Sequence, residues 1–112
     1  QAADLEEVVR AYLSPDHRDE AGTGCPVASL ASEVARHPRA TRSAFSSHNA
    51  AMLDALAAWL SAARGSQVTR ADAAALLGLL AGTLQLARAT PDRVESDAIL
   101  EAGVRAAIRL AT

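Results

Sequence analysis

The sequence contains no lysine, one cysteine and three aromatic residues among its 112 positions. So few aromatic side chains, and few Val and Ile, argue against a β-rich fold, because strands are enriched in these residue types. The single Cys25 excludes a disulfide within the chain and is typical of a reducing cytoplasm. The longest apolar run, Ala73 to Gly82, is too short to cross a bilayer. A cytoplasmic protein without a membrane partner is therefore expected.

Alanine and leucine dominate what is present. Half of the residues are hydrophobic and 28 are alanine, a composition that favours helices and predicts an all-α fold. A length of 112 residues suits a single domain, residues 1–112. All eleven basic residues are arginine, yet the formal net charge is −2 and no strongly basic stretch is present. This chain alone is therefore a poor nucleic-acid binder.

Apolar residues that recur every three or four positions predict five helices. The first ends near Ser14, because the residue before a proline disfavours helical geometry, and a polar loop is predicted over 16–25. The second begins at Pro26 and the third covers 39–64. The fourth follows an N-cap at Thr69 and runs to residue 89. The fifth is capped by either Thr90 or Asp92.

The fourth and fifth helices are apolar on more than one side. On the fourth, one stripe contains Leu76 and Leu80, and a second stripe with Gly78 and Gly82 lies opposite. Both sides have to be covered, and three other helices are too few to cover both. We expect a second copy to complete a four-helix bundle around a two-fold axis; alternatively, the glycines only relieve crowding within one chain. The residues expected at the dimer interface are Gly78, Leu79, Gly82, Leu86, Ile99, Gly103, Ala106 and Leu110.

Two segments carry a resemblance to a known family. The first segment covers residues 12–36 and contains Tyr12-Leu13-Ser14-Pro15, Gly24-Cys25-Pro26-Val27 and Glu33-Val34-Ala35-Arg36. The second is LLAGTLQLARA at 79–89. Together they resemble the C-terminal domain of TetR-family transcriptional repressors of the LmrA/YxaF-like kind. The resemblance implies a regulatory domain that encloses an effector pocket and dimerises through its last two helices. Such repressors bind DNA through an N-terminal helix-turn-helix head. Because Gln1 already lies inside the regulatory domain, that head is expected to be missing, whether removed or lost.

Large side chains on one stripe of the third helix predict a pocket for a small, mostly apolar effector. Methionine adapts to varied apolar ligands, while Asn49 and Gln85 offer uncharged polar groups that orient a ligand. Alternatively, these side chains are ordinary core residues that bind no ligand, and Asn49 is hydrogen-bonded to the backbone or to water. The predicted ligand-binding residues are Tyr12, Phe45, Asn49, Met52, Leu56, Trp59, Leu77, Leu80, Leu84 and Gln85.

No catalytic group, metal site or cofactor site is expected. His17, His37 and His48 do not have the spacing of metal ligands, and Asp16 and Asp19 are interpreted as part of a solvated loop. Cys25 lies at a predicted helix N-terminus, which can activate a thiol. No basic residue is adjacent, so a structural role is favoured over redox sensing. An effector-responsive regulatory module is preferred, the alternative is a purely structural dimerisation module, and an enzyme finds no support.

Overall fold

Six α-helices make up the part of the chain that the computed structural model describes, residues 2–20 and 26–112. The all-α class is confirmed, and five of the helices lie where the apolar periodicity placed them. Cys25 lies outside the described residues, so the interpretation of its thiol stays a prediction. In chain order, the helices are α1 (Ala2–Tyr12), α2 (Pro15–Asp19), α3 (Pro26–Val34), α4 (Arg39–Arg64), α5 (Arg70–Ala89) and α6 (Arg93–Ala111).

The ends of α5 and α6 follow from local hydrogen bonds. Thr69 accepts a hydrogen bond at its hydroxyl oxygen from the backbone N–H of Asp72, at 3.1 Å, and the Asp72 carboxylate accepts one from the N–H of Thr69, at 3.2 Å. This reciprocal pair is a capping box, and it confirms the predicted N-cap at Thr69. At α6, the carboxylate of Asp92 accepts from the N–H of Glu95, at 3.0 Å. Asp92, and not Thr90, is therefore the N-cap of the last helix.

The turn between α4 and α5 depends on Gly65. Its φ of 72° is a left-handed conformation that side chains disfavour, and its N–H donates to the Ser61 carbonyl at 2.8 Å, closing the last turn of α4. The hydroxyl of Ser61 accepts from the N–H of Val68 at 3.0 Å. The reversal brings α5 back along α4, which places the apolar stripes of the two helices against each other.

The short helix α2 corrects the prediction of a polar loop from residue 16 onward. Ser14 caps it by accepting from the N–H of His17 at 3.1 Å, and Pro15 occupies its first turn. The same Ser-Pro pair that ends α1 therefore also begins a new helix. Because α2 directs Arg18 inward, this turn attaches the first part of the chain to the last two helices.

The core is centred on α5, which packs most extensively against α6 and then against α4, with contacts to α2 and α3 as well. The predicted stripe of α5 is buried throughout, from Ala73 to Ala87. Burying a leucine of this kind contributes roughly 1.5–3 kcal/mol. The domain measures 40 × 36 × 17 Å, so it is thin in one direction and leaves broad helix faces uncovered. The largest completely buried side chains are Leu5, Val9, Leu60, Leu76, Leu80, Leu84 and Ser96.

Arg18 is the principal polar connection within the fold, and its side chain is only 4% exposed. Its guanidinium donates to the Ser96 hydroxyl at 3.0 Å, to the Asp97 carboxylate at 2.5 Å and to the Asp19 carboxylate at 3.0 Å. Ser96 in turn donates to the carbonyl of Ala87 at 2.7 Å. Arg18 therefore links α2 to α6, while the Ser96 hydroxyl links α6 to α5.

Arg88 and Asp19 extend this connection. The guanidinium of Arg88 donates to the carbonyls of Arg18 and His17, at 3.1 and 2.9 Å, which fixes α2 against α5. Hydrogen bonds from Arg18, and secondly from Arg93, lower the pKa of Asp19 below its ordinary value. A carboxylate with a lowered pKa stabilises the folded state at neutral pH, and this contribution is lost as the pH falls through the lowered pKa.

Replacement of Arg18 by methionine tests this connection. Arg18→Met keeps a similar length but removes the donors to Ser96 and Asp97, and we expect the free energy of unfolding to fall by about 2 kcal/mol. Urea denaturation followed by circular dichroism measures the change. Arg93→Met is the matched control, because Arg93 is 69% exposed and makes only a surface ion pair with Asp19. Equal effects of the two substitutions would contradict the structural role of Arg18.

Candidate functional site

An apolar cavity of about 310 Å³ lies between α1, α4 and α5, and is named the α1 cavity here. The surface that its wall exposes is apolar, and no charged side chain lines it. Met52, which is 38% exposed, lies where the cavity meets the surface, whereas Leu56 and Leu80 are buried at its base. Val8 and Ala55 line it without having been predicted. Six of the predicted ligand-binding residues meet here: Tyr12, Met52, Leu56, Trp59, Leu77 and Leu80.

A second cavity, of about 300 Å³, lies between α3, α4 and α5, and is named the α3 cavity. Phe45 and Asn49 line it from α4, together with Leu53 and Ser46, while Val27 closes it from α3. This cavity is also mostly apolar and lacks charged groups, but it contains the polar side chains of Asn49 and Ser46. The single pocket expected from the sequence is therefore two cavities, one on each side of the contact between α4 and α5.

Leu77 is the side chain common to both cavities. It is 5% exposed and lies on α5 where that helix meets α4. Two of the predicted ligand-binding residues lie elsewhere. Leu84 is fully buried in the core and lines neither cavity. Gln85 likewise lines neither, because its side-chain amide donates to the Ala28 carbonyl at 2.5 Å and joins α5 to α3; its predicted place in the pocket is wrong.

The opposite side of α5 is uncovered. A Cβ built on Gly78 or Gly82 meets no atom within 4 Å, and Leu86 is 63% exposed. Leu79 and, on α6, Ile99 and Ala106 are partly buried, while Leu110 is 37% exposed. These residues form an apolar surface along the hairpin of α5 and α6, named the hairpin face here. Val94, which was not predicted, is 80% exposed at the start of α6.

Gly103 does not belong to the hairpin face. It is buried, and a Cβ built on it would lie 2.5 Å from the Thr83 methyl group and 2.9 Å from a methyl group of Leu13. Its glycine lets α6 approach α5 and α1 within one chain. The prediction that it faces a partner is wrong, and the alternative of relieved crowding within the chain describes this position. Nearby on α6, the carboxylate of Glu101 accepts a hydrogen bond from Arg10 of α1 at 3.2 Å.

Residues 2–106 match the family model described as Tetracyclin repressor-like, C-terminal domain. The chain belongs to this family. The likeness inferred from the two sequence segments is thereby confirmed at the level of the family, while the LmrA/YxaF-like kind stays a prediction. No curated protein and no solved structure matches the chain. Regulation of transcription and binding of a ligand follow from membership of the TetR family, in which such domains carry the regulatory function.

In this TetR-like regulatory domain, one polar cleft has a structural role. It measures about 390 Å³ and lies at the turn between α5 and α6. Its charged side chains are Arg18, Asp19, Arg88 and Arg93, and the carboxylate and backbone carbonyls nearby bind each of the arginines. The cleft is therefore the outer surface of the connection that fixes α2, and the two apolar cavities are the better candidates for a ligand site.

Residues 2–20 and 26–112 carry neither a metal-binding cluster nor a membrane span. Within that part of the chain, no three His, Cys, Asp or Glu side chains are grouped so as to hold a metal ion. Over the same residues, no helix combines the length and the apolar character of a membrane span. TetR-like regulatory domains are generally not enzymes.

Proposed function

We propose that this domain binds a small apolar effector in the α1 cavity and forms a homodimer through its hairpin face, so that the effector controls the DNA-binding heads of a TetR-like repressor. The observation that carries the proposal is the α1 cavity itself. A volume of about 310 Å³ is at the lower end of ligand pockets. Its wall offers no charge and no polar atom, so the ligand is neutral and binds by burying apolar surface, at about 25 cal/mol for each Å².

The hairpin face supports the dimer. Leu86 on α5 and Leu110 on α6 are large apolar side chains left exposed, by 63% and 37%. Gly78 and Gly82 have open space above them, so a partner helix can approach the backbone of α5 closely. Burial of this face against its own copy would build a four-helix bundle from two hairpins. In such a dimer, the hairpin face of each copy is covered by the hairpin face of the other.

Helix α5 provides the coupling between ligand and partner. Leu77 and Leu80 line the α1 cavity from one side of α5, while Gly82 lies at the hairpin face with open space around it; Gly78 also lines the α3 cavity. A ligand that shifts or rotates α5 therefore acts directly on the dimer contact. Because a ligand changes an equilibrium only through different affinities for its two states, the effector has to bind one arrangement of α5 better than the other.

A thermal-shift screen of neutral apolar compounds tests the ligand. A compound present at one hundred times its dissociation constant should add about 2.7 kcal/mol to the free energy of unfolding. Hits should also change the emission of Trp59, the single tryptophan of the chain, which lines the α1 cavity. If no neutral apolar compound raises the melting temperature, while charged compounds do, the proposed ligand class is wrong; if no compound does, the domain is a purely structural dimerisation module.

Because DNA recognition is assigned to a separate head, we predict that these 112 residues alone do not recognise duplex DNA. The formal net charge is −2, and the arginines of α2, α5 and α6 near Asp19 are occupied by internal bonds. A gel-shift titration at physiological salt should show only weak binding, equal for different duplex sequences. Tight binding that discriminates between sequences would contradict the assignment of DNA recognition to a separate head.

A further inference from the structure

The polar side chain of Asn49 is unusual in its surroundings. It is only 7% exposed and lies in the wall of the α3 cavity, where most neighbours are apolar. In the part of the chain that the structure describes, its one hydrogen bond runs from the side-chain nitrogen to the Phe45 carbonyl, at 3.1 Å. A carboxamide can make four such bonds. The side chain therefore keeps an acceptor oxygen and one N–H at the cavity wall.

The two cavities differ in what they offer a ligand. The wall of the α1 cavity is purely apolar, whereas the α3 cavity adds hydrogen-bonding groups and no charge. Asn49 and Leu56 are seven residues apart on α4, which is about 10 Å along the helix axis. That distance is comparable to a medium-length alkyl chain. One elongated molecule can therefore place an apolar part near Leu56 and a polar end near Asn49, provided that the cavities communicate.

Leu77 controls that communication. Its side chain lines both cavities, so a change of its rotamer would alter the wall between them. On the basis of the proposed effector function, we propose that the two cavities form one site for a neutral amphiphile. Its apolar chain occupies the α1 cavity, its hydroxyl or carbonyl group bonds to Asn49 in the α3 cavity, and Leu77 moves aside between them.

The test compares two probes by Trp59 emission. Dodecanol, a neutral primary alcohol with a long chain, should occupy both cavities, whereas cyclohexane has no polar group and should occupy the α1 cavity alone. Asn49→Leu should weaken dodecanol binding about tenfold, the effect of losing one buried hydrogen bond, and leave cyclohexane binding unchanged. Gln67→Leu is the matched control, because it makes the same kind of change at an exposed residue outside both cavities and should alter neither affinity.

A second variant leaves Asn49 intact. Leu77→Phe enlarges the side chain between the cavities and should weaken dodecanol more than cyclohexane, with circular dichroism checking that each variant is folded. If both probes bind but neither variant changes the ratio of their affinities, the two-cavity inference is overturned while the proposed effector site stands. If neither probe binds the unmodified domain, the effector function fails, and the inference fails with it.

Discussion

Gly82→Glu should convert the proposed dimer into a folded monomer. Gly82 lies at the centre of the hairpin face with open space above it, so a glutamate fits the single chain without a clash. Glutamate is also a better helix former than glycine, by roughly 0.5–1 kcal/mol. Between two copies, however, the same side chain would bury a carboxylate without a partner, at a cost of several kcal/mol. Sedimentation equilibrium measures the change in association.

Ala62→Glu is the control for this variant. Ala62 is exposed on α4, away from the hairpin face, so a carboxylate there should leave the dimer intact. The helicity of both variants, from circular dichroism, should match that of the unmodified domain. A dimer that survives Gly82→Glu would place the interface on another surface. A stable monomer of the unmodified domain would contradict the proposed dimer.

Ala55→Leu should abolish binding of a ligand in the α1 cavity and stabilise the domain. Ala55 lines the cavity, so the added carbon atoms fill space that a ligand needs. Filling an apolar void commonly adds 0.5–2 kcal/mol of stability, and about 1 kcal/mol is expected here. The measurement is a titration with cyclohexane followed by Trp59 emission, together with the melting temperature. Lost binding combined with a higher melting temperature distinguishes a blocked site from an unfolded one.

Ala58→Leu provides the comparison. Ala58 lies one turn further along α4 and is exposed, so its leucine reaches no cavity. Cyclohexane affinity and melting temperature should therefore stay close to those of the unmodified domain. If Ala55→Leu lowers the melting temperature strongly, the space beside it is already filled by packed side chains, and overpacking is the cause. The ligand site would then have no physical basis in this region.

Helix boundaries and the two-sided character of α5 were readable from sequence because each depends on local chemistry. Gly65 ends α4 and Thr69 with Asp72 begins α5, and each of these signals acts over a few residues. The apolar stripe with Leu76 and Leu80 is buried, as its spacing predicts. The short helix α2 was missed although Ser14 and Pro15 carried a helix-start signal, because Pro15 was interpreted only as the end of α1.

The site could be predicted only in outline, because its shape depends on contacts between distant segments. Spacing along α4 brings Phe45 and Met52 to one side of the helix, but it does not show that α1 and α3 lie on different sides of the contact between α4 and α5. That packing separates Asn49 from Trp59 into two cavities. Gly103 was misplaced for a related reason. Both sides of α6 are apolar, so its sequence does not distinguish the side facing Leu13 from the side facing solvent.

A crystal structure of the domain under xenon pressure tests the central claim most directly, because xenon enters dry apolar cavities. We expect a xenon atom in the α1 cavity, in contact with Leu56 and Leu80. We also expect two copies related by a two-fold axis, with Gly82 of each at the contact between hairpins. A solid core in place of the α1 cavity, with no xenon between α1, α4 and α5, would contradict the account, as would hairpin faces left open to solvent.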